Sequence, residues 1–375
     1  MASLNNFMFY KLFIYLKKFD FLLFVPVFLL LIFSLAEIYS IALSNDSLGL
    51  INFKKQAFFI FLGMIILFLL VFFDYYNFRS FGSYLYIFGV LILVVVLFFG
   101  KTVRSTRAWF QIGSFSVQPV EFIKIILILF LARYFSGVSI KLSPFKHLLI
   151  SGALSGILIS LVFLQPDFGS AMILFALWFF MAIFAGFKKR YLFLIVLILF
   201  TVFISGWLFF FKDYQKERIK TFLNPSENSL AEGYNVNQAI IAVGSGGIMG
   251  RGIGFGSQSQ LKFLPESQND FIFAVISEEL GFLGVFLVFA FFSLIFARLI
   301  IAIKYIKNDF GIYFIMGTIS LIFIQMFINI GMNIGLLPVI GISLPFLSYG
   351  GSAIISNMIL IGISESIIIR SKIKY

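Results

Sequence analysis

The chain has 375 residues, of which 61% are hydrophobic and 12% charged, with a formal net charge of +12 and a mean hydropathy of +1.07. Ordinary soluble domains are about 45–50% apolar and about 25% charged, so a water-soluble globular fold is excluded. Cysteine is absent and His147 is the one histidine, which rules out disulfide and thiol chemistry and a histidine-built zinc site. In so apolar a chain the excess Lys and Arg point to membrane orientation and anionic lipid, not to nucleic acid.

A helix needs about 20 apolar residues to cross about 30 Å of hydrocarbon. Ten spans are predicted on that rule, at roughly 21–43, 56–74, 81–100, 119–138, 147–165, 169–187, 191–211, 271–297, 310–337 and 346–369. The first follows lysines and is longer than a signal-peptide core, so it reads as a retained anchor. Residues 5–18 mix Phe7, Tyr10, Phe13 and Tyr15 with lysines, as an interfacial helix or an ordinary juxtamembrane tail would. With the N-terminus in the cytoplasm, sixteen Lys and Arg fall on inside segments; the short outside loops hold five, Lys54, Lys55, Lys101, Arg104 and Arg107. The expectation is one all-α polytopic membrane domain over 1–375, with ten transmembrane helices and both termini in the cytoplasm. A large extracytoplasmic loop, 212–270, joins helices seven and eight and adds Lys212, Lys216, Arg218 and Lys220. Its apolar anchors, among them Tyr234, Val236, Ile240 and Phe255, predict a partly helical loop packed on the outer face.

Polar residues gather at the outer edges of the spans. The second outer loop holds Arg107, Trp109, Gln118, Pro119, Glu121 and Lys124. Pro119 suits the first turn of a helix, and Glu121 and Lys124 then share one face about a turn inside the membrane. That pair is either an ion pair that lets a helix pack, or part of a polar pocket whose lysine meets a phosphate. Trp109 is by default an aromatic-belt residue. In the turn from Gln165 to Gly169, Asp167 either shapes the turn or faces the bundle. The glycine-rich run 244–256 carries Arg251 and matches no nucleotide-binding fingerprint; it is a flexible loop or a nest of N–H groups for a phosphate. Lys262 follows. Asp270 then opens span eight, where an N-cap role is sufficient to explain it. Acids at a membrane edge are costly, and so are functional candidates. Glu278 and Glu279 lie two turns deeper, about 100° apart around the helix, and are expected to turn inward and pair with Lys or Arg of other spans. Pro338, Gly341 and Pro345 in the last outer turn predict a re-entrant or broken segment. Asn329 and Asn333 face the same interior.

The strings QPVEFIK, LQPDFGSA, FLNP, IAVGSGGIMGRG, SQSQLKFLPESQNDFIFAVISEELGFLG and GLLPVIGISLPFLSYGGSA occur in this order. They resemble the signatures of the SEDS family of RodA, FtsW and SpoVE, and the segment from Ser257 to Phe263 is most similar to the RodA branch. The resemblance implies a peptidoglycan glycosyltransferase of the bacterial cytoplasmic membrane. Its substrate would be lipid II, an undecaprenyl-pyrophosphate-linked disaccharide peptide polymerised on the outer face for cell elongation and rod shape. A class B penicillin-binding protein transpeptidase would be its partner. The family's essential acid falls on Asp270, and the substrate-binding residues on Trp109, Glu121 and Lys124. Arg107, Arg251, Lys262 and Asp167 are further substrate-binding candidates. The chain departs from the family pattern at Asn269, at Val120 and at Ala108, which separates Arg107 from Trp109. No organic cofactor is implied; a divalent cation, Mg or Mn, is the one to consider. Such a reaction needs a base for the attacking sugar hydroxyl and cations for the departing pyrophosphate. The alternatives are a lipid II flippase, a division- or sporulation-specific polymerase, a secondary transporter and a scaffold.

Overall fold

The computed structural model describes residues 15, 17–43, 46–103, 106–113, 115–138, 143–205 and 232–372. The juxtamembrane stretch 5–18 lies almost wholly outside the described residues, as do FLNP, Lys212, Lys216, Arg218, Lys220 and the rest of 206–231. The chain is mostly helical. The first helices are α1 (Phe21–Leu43), α2 (Asp46–Phe72) and α3 (Tyr75–Phe99). Three strands follow, β1 (Lys101–Val103), β2 (Thr106–Ile112) and β3 (Phe115–Val117). Then come α4 (Pro119–Gly137), α5 (Pro144–Phe163), α6 (Phe168–Phe184) and α7 (Lys189–Ser205). The segment between α7 and the next long helix carries α8 (Glu232–Ser245) and the short α9 (Ser257–Gln260). The last three helices are α10 (Ile272–Ile303), α11 (Asp309–Asn333) and α12 (Gly351–Lys372).

Seven described helices are long and apolar enough to cross a membrane: α1, α2 from Leu50, α3, α5, α10, α11 and α12. α6 is apolar but has 17 residues, and α4 carries Glu121, Lys124 and Arg133 within 19 residues. Large apolar side chains stand on the outside of the bundle, Phe61 at 65% exposure and Phe99 at 80%. Such a surface is stable against lipid and not against water. The chain is a multi-pass membrane protein. Of these seven, α11 and α12 are the most enclosed, and glycines bring α2 and α12 together, with Gly63 against Met358 and Gly351 against Phe59.

The all-α expectation needs one correction. The connection between α3 and α4 folds into a three-stranded antiparallel sheet, β1-β2-β3, with Phe110 opposite Val117 and Gln111 opposite Ser116. Short strands between two helices leave no hydropathy signal, and span-based reading passes over them. The last span begins at Gly351 and not near 346, because residues 334–350 stay non-helical. Ile342, Leu344, Phe346 and Leu347 in that segment are buried, and irregular backbone at membrane depth survives only under such protein cover.

α10 is broken. Gly281 has φ 62° and ψ −156°, outside the helical region. The break takes from the helix the carbonyls of Glu278 and Glu279 and the N–H groups of Phe282 and Leu283, which would otherwise bond one another. The glycine-rich run replaces all four. Arg251 N–H donates to Glu278 O at 3.0 Å and Gly252 N–H to Glu279 O at 2.9 Å. Gly247 O accepts from Phe282 N–H at 2.9 Å and Ile248 O from Leu283 N–H at 3.1 Å. The glycines here permit close approach. A Cβ on Gly246 would lie 1.8 Å from Ser277 O, and one on Gly250 (φ 76°) 2.1 Å from Glu279 O.

At the end of the bundle where α1 begins, Asp20 receives Arg298 at 2.5 Å and Lys372 at 3.0 Å. Its backbone N–H donates to Glu365. One acid thus ties the start of α1 to the ends of α10 and α12. Burial pushes the Asp20 carboxyl up, but hydrogen bonds and charge from Arg298 and Lys372 outweigh it and hold the group below its ordinary 3.8.

Two outcomes follow, both read by thermal unfolding in detergent. Gly250→Ala destabilises by about 3 kcal/mol through strain and overlap, whereas Gly244→Ala, with nothing within 4 Å of its Cβ, does not destabilise; equal effects would contradict the close-approach argument. Asp20→Asn lowers Tm at neutral pH. Because the folded pKa lies below the unfolded one, this difference persists above about pH 4 and closes only as pH falls through the depressed value.

Candidate active site

Asp270 lies half-buried in the turn before α10. The cap of that helix is Phe271, with no side-chain cap bond, which corrects the expectation that Asp270 is the N-cap. A distant side chain does the capping instead. Asn333 accepts Ala274 N–H on Oδ1 at 3.1 Å and donates from Nδ2 to Asp270 O at 2.9 Å. Asn329 Nδ2 donates to the same carbonyl at 3.0 Å and to Ile342 O at 2.7 Å. Both asparagines are fully buried. Four residues apart on α11, they present one face to the turn, as i,i+4 spacing requires.

The rest of the turn is pinned from the opposite side. Ser348 Oγ donates to Asn269 O at 2.6 Å and accepts Leu344 N–H at 2.8 Å. Tyr349 N–H donates to Gln268 O at 2.8 Å, and Asn52 of α2 reaches Gln268 Oε1 at 2.9 Å. Gln56, also on α2 and fully buried, donates to Ser34 Oγ and Ser348 O and accepts Gly350 N–H. Asn52 and Gln56 were not picked out by sequence reasoning. The signal that finds them is two amides inside an otherwise apolar span.

Contacts lead from Asp270 to the other acids. Asp270 Oδ2 is 3.6 Å from where a Gly341 Cβ would be. The preceding residue, Ile340, touches the start of α6, where a Cβ on Gly169 would lie 2.5 Å from Ile340 O. Asp167 caps α6 through Ser170 N–H at 3.0 Å and Ser170 Oγ at 2.8 Å, and accepts from Gln118 Nε2 at 3.3 Å. Gln118 N–H donates to Ser352 Oγ and immediately precedes α4. One turn into α4, Lys124 Nζ meets Glu121 Oε1 at 2.7 Å, with both residues buried. Removing one partner of such a pair leaves an uncompensated buried charge. The structure therefore links Asp270, Asp167, Glu121 and Lys124 along one run of packed segments.

The remaining candidates are placed differently. Arg107 is exposed, and its guanidinium donates to Phe98 O at 2.7 Å, near the C-terminus of α3, and to O of the following cap residue Gly100 at 3.0 Å. Trp109 is half-buried on β2, opposite Lys101. Arg251 is exposed and donates to Ser257 Oγ at 2.6 Å. Lys262 is exposed in the turn after α9, with φ 60°.

Glu278 and Glu279 are fully buried, but the expected Lys or Arg partners are replaced by amides and hydroxyls. Glu278 accepts Gln258 N–H at 2.9 Å, Ser259 N–H at 3.2 Å and Ser257 Oγ at 3.2 Å, at the start of α9. Glu279 accepts Ser40 Oγ of α1 at 2.7 Å, Gly254 N–H at 3.1 Å and Ser259 Oγ at 3.1 Å. Carboxylates so coordinated hold the loop of residues 250–260 against the broken helix.

Residues 15–373 match the family model described as cell cycle protein, FtsW/RodA/SpoVE. The chain is 35% identical to stage V sporulation protein E of Bacillus subtilis, covering 91% of this chain and 93% of that one. It is 34% identical to peptidoglycan glycosyltransferase MrdB of Escherichia coli K12, covering 90% of each. Its fold is similar to a chain from the structure "Structural coordination of polymerization and crosslinking by a peptidoglycan synthase complex". There the TM-score is 0.80 at 25% identity, over 94% of this chain and 98% of that one. The crystal structure of RodA from Thermus thermophilus has the same fold, at TM-score 0.71 and 24% identity over 95% and 98% of the two chains. With the family model spanning nearly the whole sequence, the chain belongs to the FtsW/RodA/SpoVE family of cell cycle proteins.

Proposed function

We propose that this chain is a peptidoglycan glycosyltransferase that polymerises lipid II, with Asp270 as general base. The observation that carries this reading is the clamped turn at Asp270. It holds a half-buried carboxylate at the start of a membrane helix, joined through packed segments to a buried Glu121–Lys124 pair. Relatives named as peptidoglycan glycosyltransferases support the reaction class.

In the proposed reaction a sugar hydroxyl of one substrate attacks the anomeric carbon of another. The bond to the pyrophosphate breaks, the glycosidic bond forms, and Asp270 takes the hydroxyl proton. One displacement inverts the anomeric centre, turning an α-linked donor into a β-linked strand. Lys124, Arg251 and Lys262 are the cations proposed to meet the pyrophosphate, with Trp109, Glu121, Asp167 and Arg107 shaping the substrate site. Among the described residues no three His, Asp or Glu gather as metal ligands. A Mg or Mn ion, where the reaction uses one, would be a counter-ion of the pyrophosphate, and no step is assigned to it.

The proposed topology is ten spans with both termini in the cytoplasm of one membrane domain over 1–375. It puts the Asp20 cluster inside, and loop 212–270 with Asp270 outside, at the level of a lipid headgroup in the bacterial cytoplasmic membrane. The proposed role is elongation and rod shape with a class B penicillin-binding protein as partner. Relatives with sporulation and division names keep those roles as the alternative. The buried Glu121–Lys124 pair is the observation that favours a lipid II flippase.

Reconstituted protein with labelled lipid II tests the reading. Asp270→Asn is expected to cut strand formation by ~100-fold or more with the melting temperature unchanged. Retained polymerisation would refute the assignment of the base, and lipid II that changes leaflet without forming polymer would favour the flippase.

A further inference from the structure

We infer that Asn329 and Asn333 are positioning residues for Asp270, fixing the direction of its carboxylate by clamping the main chain that carries it. The inference rests on the reading of Asp270 as the base. A side chain that must take a proton in a transition state has to be held within a few tenths of an ångström. Asp270 stands in the turn before α10, outside the regular helix.

In an uninterrupted helix, Asp270 O would accept the N–H of Ala274. Here Ala274 N–H goes to Phe271 O at 3.0 Å and to Asn333 Oδ1 at 3.1 Å. Asp270 O accepts two side-chain N–H groups instead, from Asn333 at 2.9 Å and Asn329 at 3.0 Å. Asn333 thus satisfies both backbone groups that the unwound turn releases. Asn329 has a second task. Its other N–H holds Ile342 O at 2.7 Å, one residue from Gly341, the segment that Asp270 Oδ2 faces. A single amide therefore ties the backbone bearing the carboxylate to the backbone beside it. Neither asparagine reaches solvent. With no water to take over, their hydrogen bonds are costly to break and the geometry is fixed. Within α11, Asn333 Nδ2 also donates to the backbone carbonyl of Asn329 at 2.8 Å and lies 3.4 Å from its Oδ1.

A packing role and a positioning role predict different kinetics. Asn329→Ala and Asn333→Ala, in the full-length reconstituted protein, are expected to lower kcat for lipid II polymerisation by about 10–100-fold, with KM changed less than about threefold. Asn333→Asp keeps an oxygen for Ala274 N–H, loses the donors and sets a second acid by Asp270. It is expected to lower kcat by about 10–100-fold, as the alanines do, with KM little changed. Wild-type kcat in both alanine variants would overturn the inference. So would a loss of rate that only follows the folded fraction. If the alanine variants fail to fold, the near-isosteric Asn333→Asp decides alone, wild-type kcat in its folded form refuting the clamp. An inactive Asp270→Asn beside fully active asparagine variants refutes the clamp only; an active Asp270→Asn refutes the base assignment itself.

Discussion

Backbone hydrogen bonding inside a membrane admits no water, and this structure depends on how it meets that constraint at one helix. α10 unwinds before its first turn and breaks again at Gly281. Each defect leaves N–H and C=O groups that hydrocarbon cannot satisfy. Asn329 and Asn333 satisfy the first defect and the glycine-rich run the second. Between the two defects lie Asp270, Glu278 and Glu279, so the repairs also decide where these three acids stand.

The acids of this region are sorted by what they accept. Glu278 and Glu279 receive backbone N–H groups and hydroxyls and act as anchors for loop and helix. Glu121 receives an ammonium, and the pair stays buried. Asp20, at the other end of the bundle, receives two cations and holds three helix ends together. Asp270 differs in standing half-buried on a backbone that is itself held from two sides. Firm support beneath an accessible carboxylate is what proton abstraction from a bound hydroxyl requires.

Much of this was legible in the sequence. Runs of about 20 apolar residues marked the long apolar helices. Glu121 and Lys124 were readable as a pair from i,i+3 spacing, and Asn329 and Asn333 as residues sharing one interior face from i,i+4 spacing. Other features depend on contacts between distant segments. The glycine-rich run looked like a flexible loop, because nothing local says that Gly246 and Gly250 must admit the carbonyls of Ser277 and Glu279. Glu278 and Glu279 were expected to find cations, since charge is visible in a sequence and a set of converging N–H groups is not. The sheet of residues 101–117 lacked a periodic run long enough to register, and with it the capping of α3 by Arg107 was hidden.

The central claim is that this membrane chain makes glycosidic bonds. Its most direct test follows purified wild-type protein in vesicles with lipid II as sole substrate and the cross-linking transpeptidase present. The account predicts glycan strands that lengthen with time, with one undecaprenyl pyrophosphate released for each bond formed. Lipid II that remains monomeric, with no pyrophosphate released, would contradict it.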